Sequence, residues 1–470
     1  MKRILIGVSA VLGLLLVFML VRTLMVPAPA VEAAAPPIAV DADFAARHLS
    51  QAVKFPTIPS DALVKEGEQG SALDAMQAWM DTTYPYFHEA AGPEVFGKSL
   101  LFTWIGKNPN VLPVLVLAHM DVAPVAPGTE KNWTHAPFSG DIADGFVWGR
   151  GTRDDKGPLI AFLEATNRLA QEGFQPDRTI MFAIGHDGET GGSGSAAIAK
   201  ALQSRGLHFA WVLDEGAAIR NEPYPGVHKP VAFLSVAGKG LLSLELTARG
   251  GGDNAARLSK AIANVANYKF QSGLDDIQRA KFAAIAPLAP FGGKFVLANL
   301  WALNSVVLGG MEAVPDSAAA LHTTMSPPIM SAGGKDAARA IINFNLHPRD
   351  SLKTVLAQIK SAVGDPKVDV TERKDINSEA TKTTSVTGPA FTHIAGLIKS
   401  TYGVPVAPDM SAWATDSRHY LPIADEVVRF SPYHEDQADG ARLHGANERL
   451  AVSDLGQAVS FYMRLIQELK

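Results

Sequence analysis

Apolar residues fall along this chain in short blocks whose period changes from one to the next. Val111 to Leu117 is an apolar run with branched residues. Leu159, Ile160, Leu163 and Leu169 recur at helical spacing over 159–170, and Thr179 to Ile184 and Ala210 to Leu213 are further strand candidates. Strands alternating with helices predict a parallel α/β sheet. The texture changes near residue 240. Leu242-Ser-Leu-Glu-Leu-Thr and Ile342-Asn-Phe-Asn-Leu alternate with period two, as half-exposed strands do, and Leu352, Val355, Leu356, Ile359 and Val363 return to helical spacing. The pattern predicts an α/β main domain over 41–238 and 384–470, interrupted by a smaller α+β domain at 239–383. The main domain resumes with Ala390 to Ile398 and closes with a helix from Leu455 to Leu469.

The longest apolar block stands at the N-terminus. Lys2 and Arg3 precede mostly apolar residues from Ile4 to Val21. A helix of that length reaches roughly 27 Å, near the thickness of a hydrocarbon core, and exceeds the usual apolar region of a cleaved signal. The reading favoured is an uncleaved anchor. Val31-Glu-Ala-Ala-Ala leaves cleavage open, and a Pro- and Ala-rich linker from Pro27 to Pro37 joins the segment to the body. Residues 1–40 are thus an anchor or signal plus linker. The short basic N-terminus places the body outside the cytoplasm, periplasmic or extracellular, either membrane-anchored or secreted.

The totals narrow the chemistry. The chain has 470 residues, more than one simple core takes, and a net charge of −5 without a basic run, so nothing points to nucleic acid. It has no cysteine, which excludes disulfides, thiolate metal sites and a cysteine nucleophile. Any metal must be held by His, Asp and Glu.

Those residues gather after the predicted strands. In "LAHMDVAP", His119 and Asp121 are two apart and face one side of an extended segment. His119 is a candidate metal ligand whose other ring N–H Asp121 accepts; a buried structural pair is the alternative. In "WGRGTRDDKGP", Asp154 and Asp155 precede a helix, where they either cap it or contribute to a site. "GHDGETGG" carries Asp187 and Glu189, "WVLDEG" carries Asp214, and "RLHGANER" sets His444 in a loop. Acids and histidines at successive strand ends mark the edge where open α/β sheets build their sites.

In order and spacing these segments resemble a known family, the di-zinc exopeptidases and amidohydrolases that include carboxypeptidase G, aminoacylase and succinyl-diaminopimelate desuccinylase. The resemblance covers most of residues 44–470 and is strongest to the membrane-anchored Gly-X carboxypeptidase branch, through "FPTI", "AHMDV", "PFSGDIADGFVWGRGTRDDKG", "GHDGETGG", "VLDEG", "ATDSRHY" and "HGANE". It implies a mostly parallel-sheet catalytic domain with an inserted lid or dimerisation domain. It implies two Zn²⁺, with Co²⁺ or Mn²⁺ as substitutes: His119 and Asp214 at one, Glu189 and His444 at the other, Asp154 bridging, and Asp121 orienting His119. Arg418 becomes a candidate clamp for a substrate carboxylate, with a structural salt bridge as the alternative. The implied substrates are small peptides or N-acyl amino acids, and a homodimer stays open.

The chain departs from the family where substrate chemistry is done. The family has two adjacent glutamates, the first taking a proton from the attacking water and the second binding metal. Here the second is Glu189 and the first position is Gly188, which has no side chain; Asp187 is a weak candidate substitute. A G-G-H histidine is replaced near Asp253 in "RGGGDNAAR", an N-V-L-P segment is missing after "GGK", and a family arginine is Asn345. Two functions follow. One is a metal-dependent hydrolase of amide bonds next to a free carboxylate. The other is a membrane-tethered metal-binding pseudoenzyme with weak or no hydrolysis.

Overall fold

A computed structural model describes residues 2–28, 34–59, 68–224, 226–250, 253–332, 337–374 and 376–470. The first three residues of the candidate cleavage stretch, Val31 to Ala33, lie outside these, as do Gly251, Gly252 and the 333–336 stretch that holds "GGK".

The expected α/β body is present. A ten-stranded mixed sheet runs, in spatial order, through Pro93–Phe96, Ser99–Trp104, Ile180–Gly185, Val114–His119, Phe209–Asp214, Ala424–Arg429, Val231–Gly238, Ile219–Arg220 and His434–Glu435, with Val406–Ser411 also paired to Val231–Gly238. The strands that carry the candidate site are parallel neighbours: Val114–His119 lies between Ile180–Gly185 and Phe209–Asp214. All six residues of Val114–His119 are buried. Val114, Val116 and Ala118 join the core on one face, and Leu115 and Leu117 join the core on the other. Burial on both faces is why the segment reads as a continuous apolar run. The strand starts three residues later than the pattern suggested, just after Pro113, which has no N–H for a ladder.

One face of this sheet is covered by the helices Ala42–Val53, Lys156–Gln171, Pro389–Tyr402 and Val452–Glu468. Phe162 stacks on Phe182 at 4.4 Å between ring centres, and Phe87 packs edge-on to both. Ile198, Ala199 and Leu202 of the helix Ser193–Ser204 cover the other face.

The period-two segments form a second sheet. Gly240–Arg249 pairs antiparallel with Ala337–Leu346 and with Val368–Glu372. Leu242, Leu244, Leu246, Ile342, Phe344 and Leu346 turn to one side and pack on Leu258, Ala261 and Val265 of the helix Asn254–Ala266 and on Val355, Ile359 and Val363 of the helix Leu352–Val363. That last helix has the predicted bounds, and Ser351 and Thr354 close its N-terminus with a reciprocal capping box. The chain leaves the main sheet at Gly238 and returns beside the same point, where Gly238 N–H donates to Thr381 Oγ1 at 2.7 Å.

Candidate metal centre

Five side chains converge beyond the C-terminal ends of the parallel strands. His119 ends its strand almost fully buried. Its Nδ1 lies 3.0 Å from the Asp121 carbonyl and 3.2 Å from Asp121 Oδ1. Its Nε2 faces Asp154 Oδ1 at 3.1 Å and Glu215 Oε1 at 3.5 Å. The other oxygen of Asp154 reaches His444 Nε2 at 2.9 Å, and His444 Nε2 lies 3.4 Å from Glu189 Oε1. Two groups result, His119–Asp154–Glu215 and Asp154–Glu189–His444, which share Asp154; within each, the donor atoms lie within 4.8 Å of one another.

The first group brings in a residue beside one of those expected. Glu215, not Asp214, faces His119. Asp214 is the last residue of its strand, and its two oxygens are spent on backbone: Oδ1 accepts from Glu215 N–H at 3.0 Å and Oδ2 from Ser417 N–H at 2.9 Å. It ties the strand end to the 416–419 turn. The motif "VLDEG" holds both acids, and Glu215 reaches the centre from just beyond the strand end.

Several supports position this set. Asp121 is fully buried and accepts from the N–H groups of Gly188 and Glu189, both at 2.9 Å, so one carboxylate orients the His119 ring and fixes the loop that carries Glu189. Arg150, bracketed by glycines in the sequence but given no role there, is buried and pairs with buried Glu448 at 2.5 Å. Its other nitrogen donates to the carbonyls of His444 at 2.7 Å and Gly445 at 3.2 Å. Glu448 also accepts from Arg153 N–H at 2.9 Å. This ion pair therefore joins the loop before Asp154 to the loop of His444.

The remaining candidates divide. Asp187 is turned away from the centre: its oxygens accept from Ser193 N–H at 2.7 Å and Gly194 N–H at 3.0 Å at the start of the helix Ser193–Ser204. Burial raises its carboxyl, but those hydrogen bonds outweigh it and the group sits below the ordinary range. That geometry argues against it as a substitute base. At Gly188, an added Cβ would stand 2.9 Å from Cγ and Cδ2 of His119, so the loop lies too close to the imidazole for any side chain there without movement. Arg418 is half-buried and donates to the carbonyls of Gly191 at 2.5 Å and Thr415 at 3.4 Å, bracing the same loop through backbone rather than through an ion pair. Asp253 caps the helix Asn254–Ala266 through Ala256 N–H at 2.9 Å, and Asn345 lies in the ladder opposite Leu241.

The electrostatics suit a cation. Burial and the charge of Asp154 push Glu189 and Glu215 upward. Burial opposes the imidazolium of His119, but Asp121 and Glu215 outweigh it and raise the group. The hydrogen bond to Asp154 and the neighbouring carboxylate of Glu189 raise His444 to about 10. Three carboxylates thus press on two imidazoles, and the buried Glu189 Oε1 has no hydrogen-bond partner. Each group offers one imidazole and two carboxylates without thiolate, a donor set that fits a divalent metal with an open position.

Fold and donor set together define a metallohydrolase of the α/β type. Residues 115–468 match the model of Peptidase family M20/M25/M40, and the chain belongs to that family. It is 31% identical over 441 residues to "Probable carboxypeptidase S-like 2" of Dictyostelium discoideum, covering 90% of this chain and 84% of that protein. It is 30% identical over 446 residues to "N-fatty-acyl-amino acid synthase/hydrolase PM20D1" of Xenopus tropicalis, covering 89% and 84%. Among solved structures, the M20 metallo-carboxypeptidase Sso-CP2 of Sulfolobus solfataricus shares the fold, with a TM-score of 0.64 at 18% identity over 90% of this chain and 98% of that one. The chain is a metal-dependent peptidase/amidohydrolase.

Proposed function

We propose that this protein hydrolyses the amide bond next to a free carboxylate in small peptides or N-acyl amino acids, using two divalent metal ions, zinc by donor chemistry. The observation that carries this reading is the pair of three-residue groups sharing Asp154, in which the buried Glu189 Oε1 makes no hydrogen bond and faces His444 only at 3.4 Å. His119, Asp154 and Glu215 would hold one ion, and Asp154, Glu189 and His444 the other. Bound there, the ions would act as Lewis acids on the amide carbonyl.

The chain's own residues do the rest. Asp121 fixes the His119 tautomer and the Glu189 loop. Arg150 and Glu448 hold the His444 loop in register with Asp154. Arg418 is the candidate partner for the substrate carboxylate, since a guanidinium tied to Gly191 and Thr415 keeps further N–H donors. No side chain at 188 accepts the proton of the attacking water, and Asp187 is committed to its helix. Proton transfer then falls to a substrate group or to solvent, and the rate falls about 10²–10⁴-fold relative to a site with a positioned base. The names of the relatives favour acyl amino acids and carboxypeptidase substrates. The period-two sheet and its helices act as a lid domain over 239–383. The N-terminal helix tethers the body outside the cytoplasm; the helix Lys2–Leu24 is long and apolar enough to cross a membrane.

Metal analysis of the purified full chain tests the centre. Two equivalents of metal are expected, with loss of one in Glu215→Gln. Stoichiometric binding that survives both Glu215→Gln and His119→Ala would sink this assignment.

A further inference from the structure

Two apolar helices inside the second domain leave much of their apolar surface uncovered. Phe291–Ala298 and Leu300–Glu312 carry only two charged residues between them, Lys294 and Glu312. Phe291 is 58% exposed, Trp301 51% and Val306 62%. Of the two helices and the Asn299 hinge between them, only Asn299 and Leu300 are buried. The helices meet at 113°, and at about 12 and 20 Å each is too short to span a bilayer core of about 30 Å.

Leu297 packs on the Val227–Ile285 cluster and Glu312 pairs with Ser272 and His322; the other neighbour of these helices is the N-terminal helix, at its last turns. Asn299 Nδ2 donates to the Met19 carbonyl at 3.1 Å and lies 3.2 Å from Thr23 Oγ1. Arg22 Nε reaches the Ala298 carbonyl at 3.4 Å, and Phe18 meets Trp301 edge-on at 5.9 Å. Met19 and Thr23 are buried there, while the large apolar residues from Ile4 to Phe18 are exposed. That bare stretch is about 20 Å of helix that only lipid would cover. Its docked end therefore marks the boundary of the leaflet on the side of the body, and the two apolar helices sit at that depth.

We propose that the helices Phe291–Ala298 and Leu300–Glu312 form an interfacial anchor that lies in the headgroup–acyl boundary of that leaflet. The occupant of the apolar face is a phospholipid bilayer. An exposed tryptophan suits that depth, and the near absence of charge lets the apolar side chains of both short helices enter the acyl boundary. The contact with Met19, Arg22 and Thr23 makes the anchor continuous with the proposed membrane span, on which this inference rests. The body is then held against the membrane at two places, rather than swinging on one tether.

The chain has no cysteine, so single labels are clean. Full-length Leu14→Cys, Val306→Cys and Leu112→Cys proteins are labelled with a fluorophore. They are then reconstituted into phosphatidylcholine–phosphatidylglycerol vesicles carrying nitroxide lipids. The expected result is strong quenching at position 306 by shallow nitroxides, quenching at 14 by deep ones, and none at 112. Quenching at 306 without quenching at 14 would keep the interfacial anchor and reject the span. Quenching at 14 with 306 behaving like 112 would reject the anchor and keep the span; loss of both would reject both. A label at 306 shielded from aqueous iodide yet untouched by nitroxide lipid would mean a protein partner, such as a second copy, and would overturn the proposal.

Discussion

Asp214 and Glu215 stand side by side at a strand end, and the backbone decides which of them meets His119. Successive residues leave an extended segment on opposite sides, so only one of the pair points at the imidazole while the other meets Ser417 N–H. Glu215→Gln is therefore expected to lose one metal equivalent, whereas Asp214→Asn keeps both and lowers the melting temperature; a chelator competition with thermal melts distinguishes the two. Asp121 serves two loops at once, and Asp121→Ala is expected to weaken metal binding about 10–100-fold through His119 and Glu189. Gly188 stands where the resemblance leads one to expect a proton-accepting glutamate. A Cβ there meets the His119 ring at 2.9 Å, so Gly188→Ala is expected to weaken metal binding by displacing His119. Gly188→Glu is then not a simple restoration of a base; its crystal structure with metal would show whether the loop lifts off the imidazole.

At the scale of elements, the helix Ser193–Ser204 owes its start to Asp187, five residues before its cap position is reached in the usual way. Asp187→Ala is expected to cost about 0.5–2 kcal/mol, read from denaturant unfolding. Since the folded carboxyl sits below its ordinary value, that contribution is present above the ordinary carboxylate range and fades as pH falls through the folded value. Why some elements were legible and others not follows from their surroundings. Leu352–Val363 has one apolar stripe and a capping box, so local signals coincide with its bounds. Val114–His119 is buried on both faces, so its run was clear but its start was set by Pro113. Of the candidate metal residues, His119 and Glu189 stood out because each lies at or just after the end of an apolar strand, whereas the sequence offered Asp214 in place of Glu215, and His444 follows the short helix Asp439–Arg442. Arg150 and Glu448 were not, because a buried ion pair between segments 298 residues apart leaves no local pattern. The helices Phe291–Ala298 and Leu300–Glu312 lack an amphipathic stripe; among their residues Leu297 packs on a core cluster while Phe291, Trp301 and Val306 stay exposed.

For the whole molecule, the centre is a buried excess of carboxylates balanced by two protonated imidazoles or by metal. His444 is raised to about 10 because Asp154 and Glu189 favour its cation, and a metal needs the neutral ring. Metal binding must then release protons, and apparent affinity is expected to rise with pH, about tenfold per unit for each proton released. Calorimetry in buffers of different ionisation enthalpy reads that release; binding without it would contradict the charge balance drawn here. The central claim is that this metal centre hydrolyses amides without the usual base. The direct measurement is turnover of dipeptides and N-acyl amino acids by the full chain with Zn²⁺, Co²⁺ or Mn²⁺, beside His119→Ala. Slow turnover that vanishes in His119→Ala is the predicted result. Full metal occupancy with no turnover across the panel, or turnover that ignores His119→Ala, would contradict it.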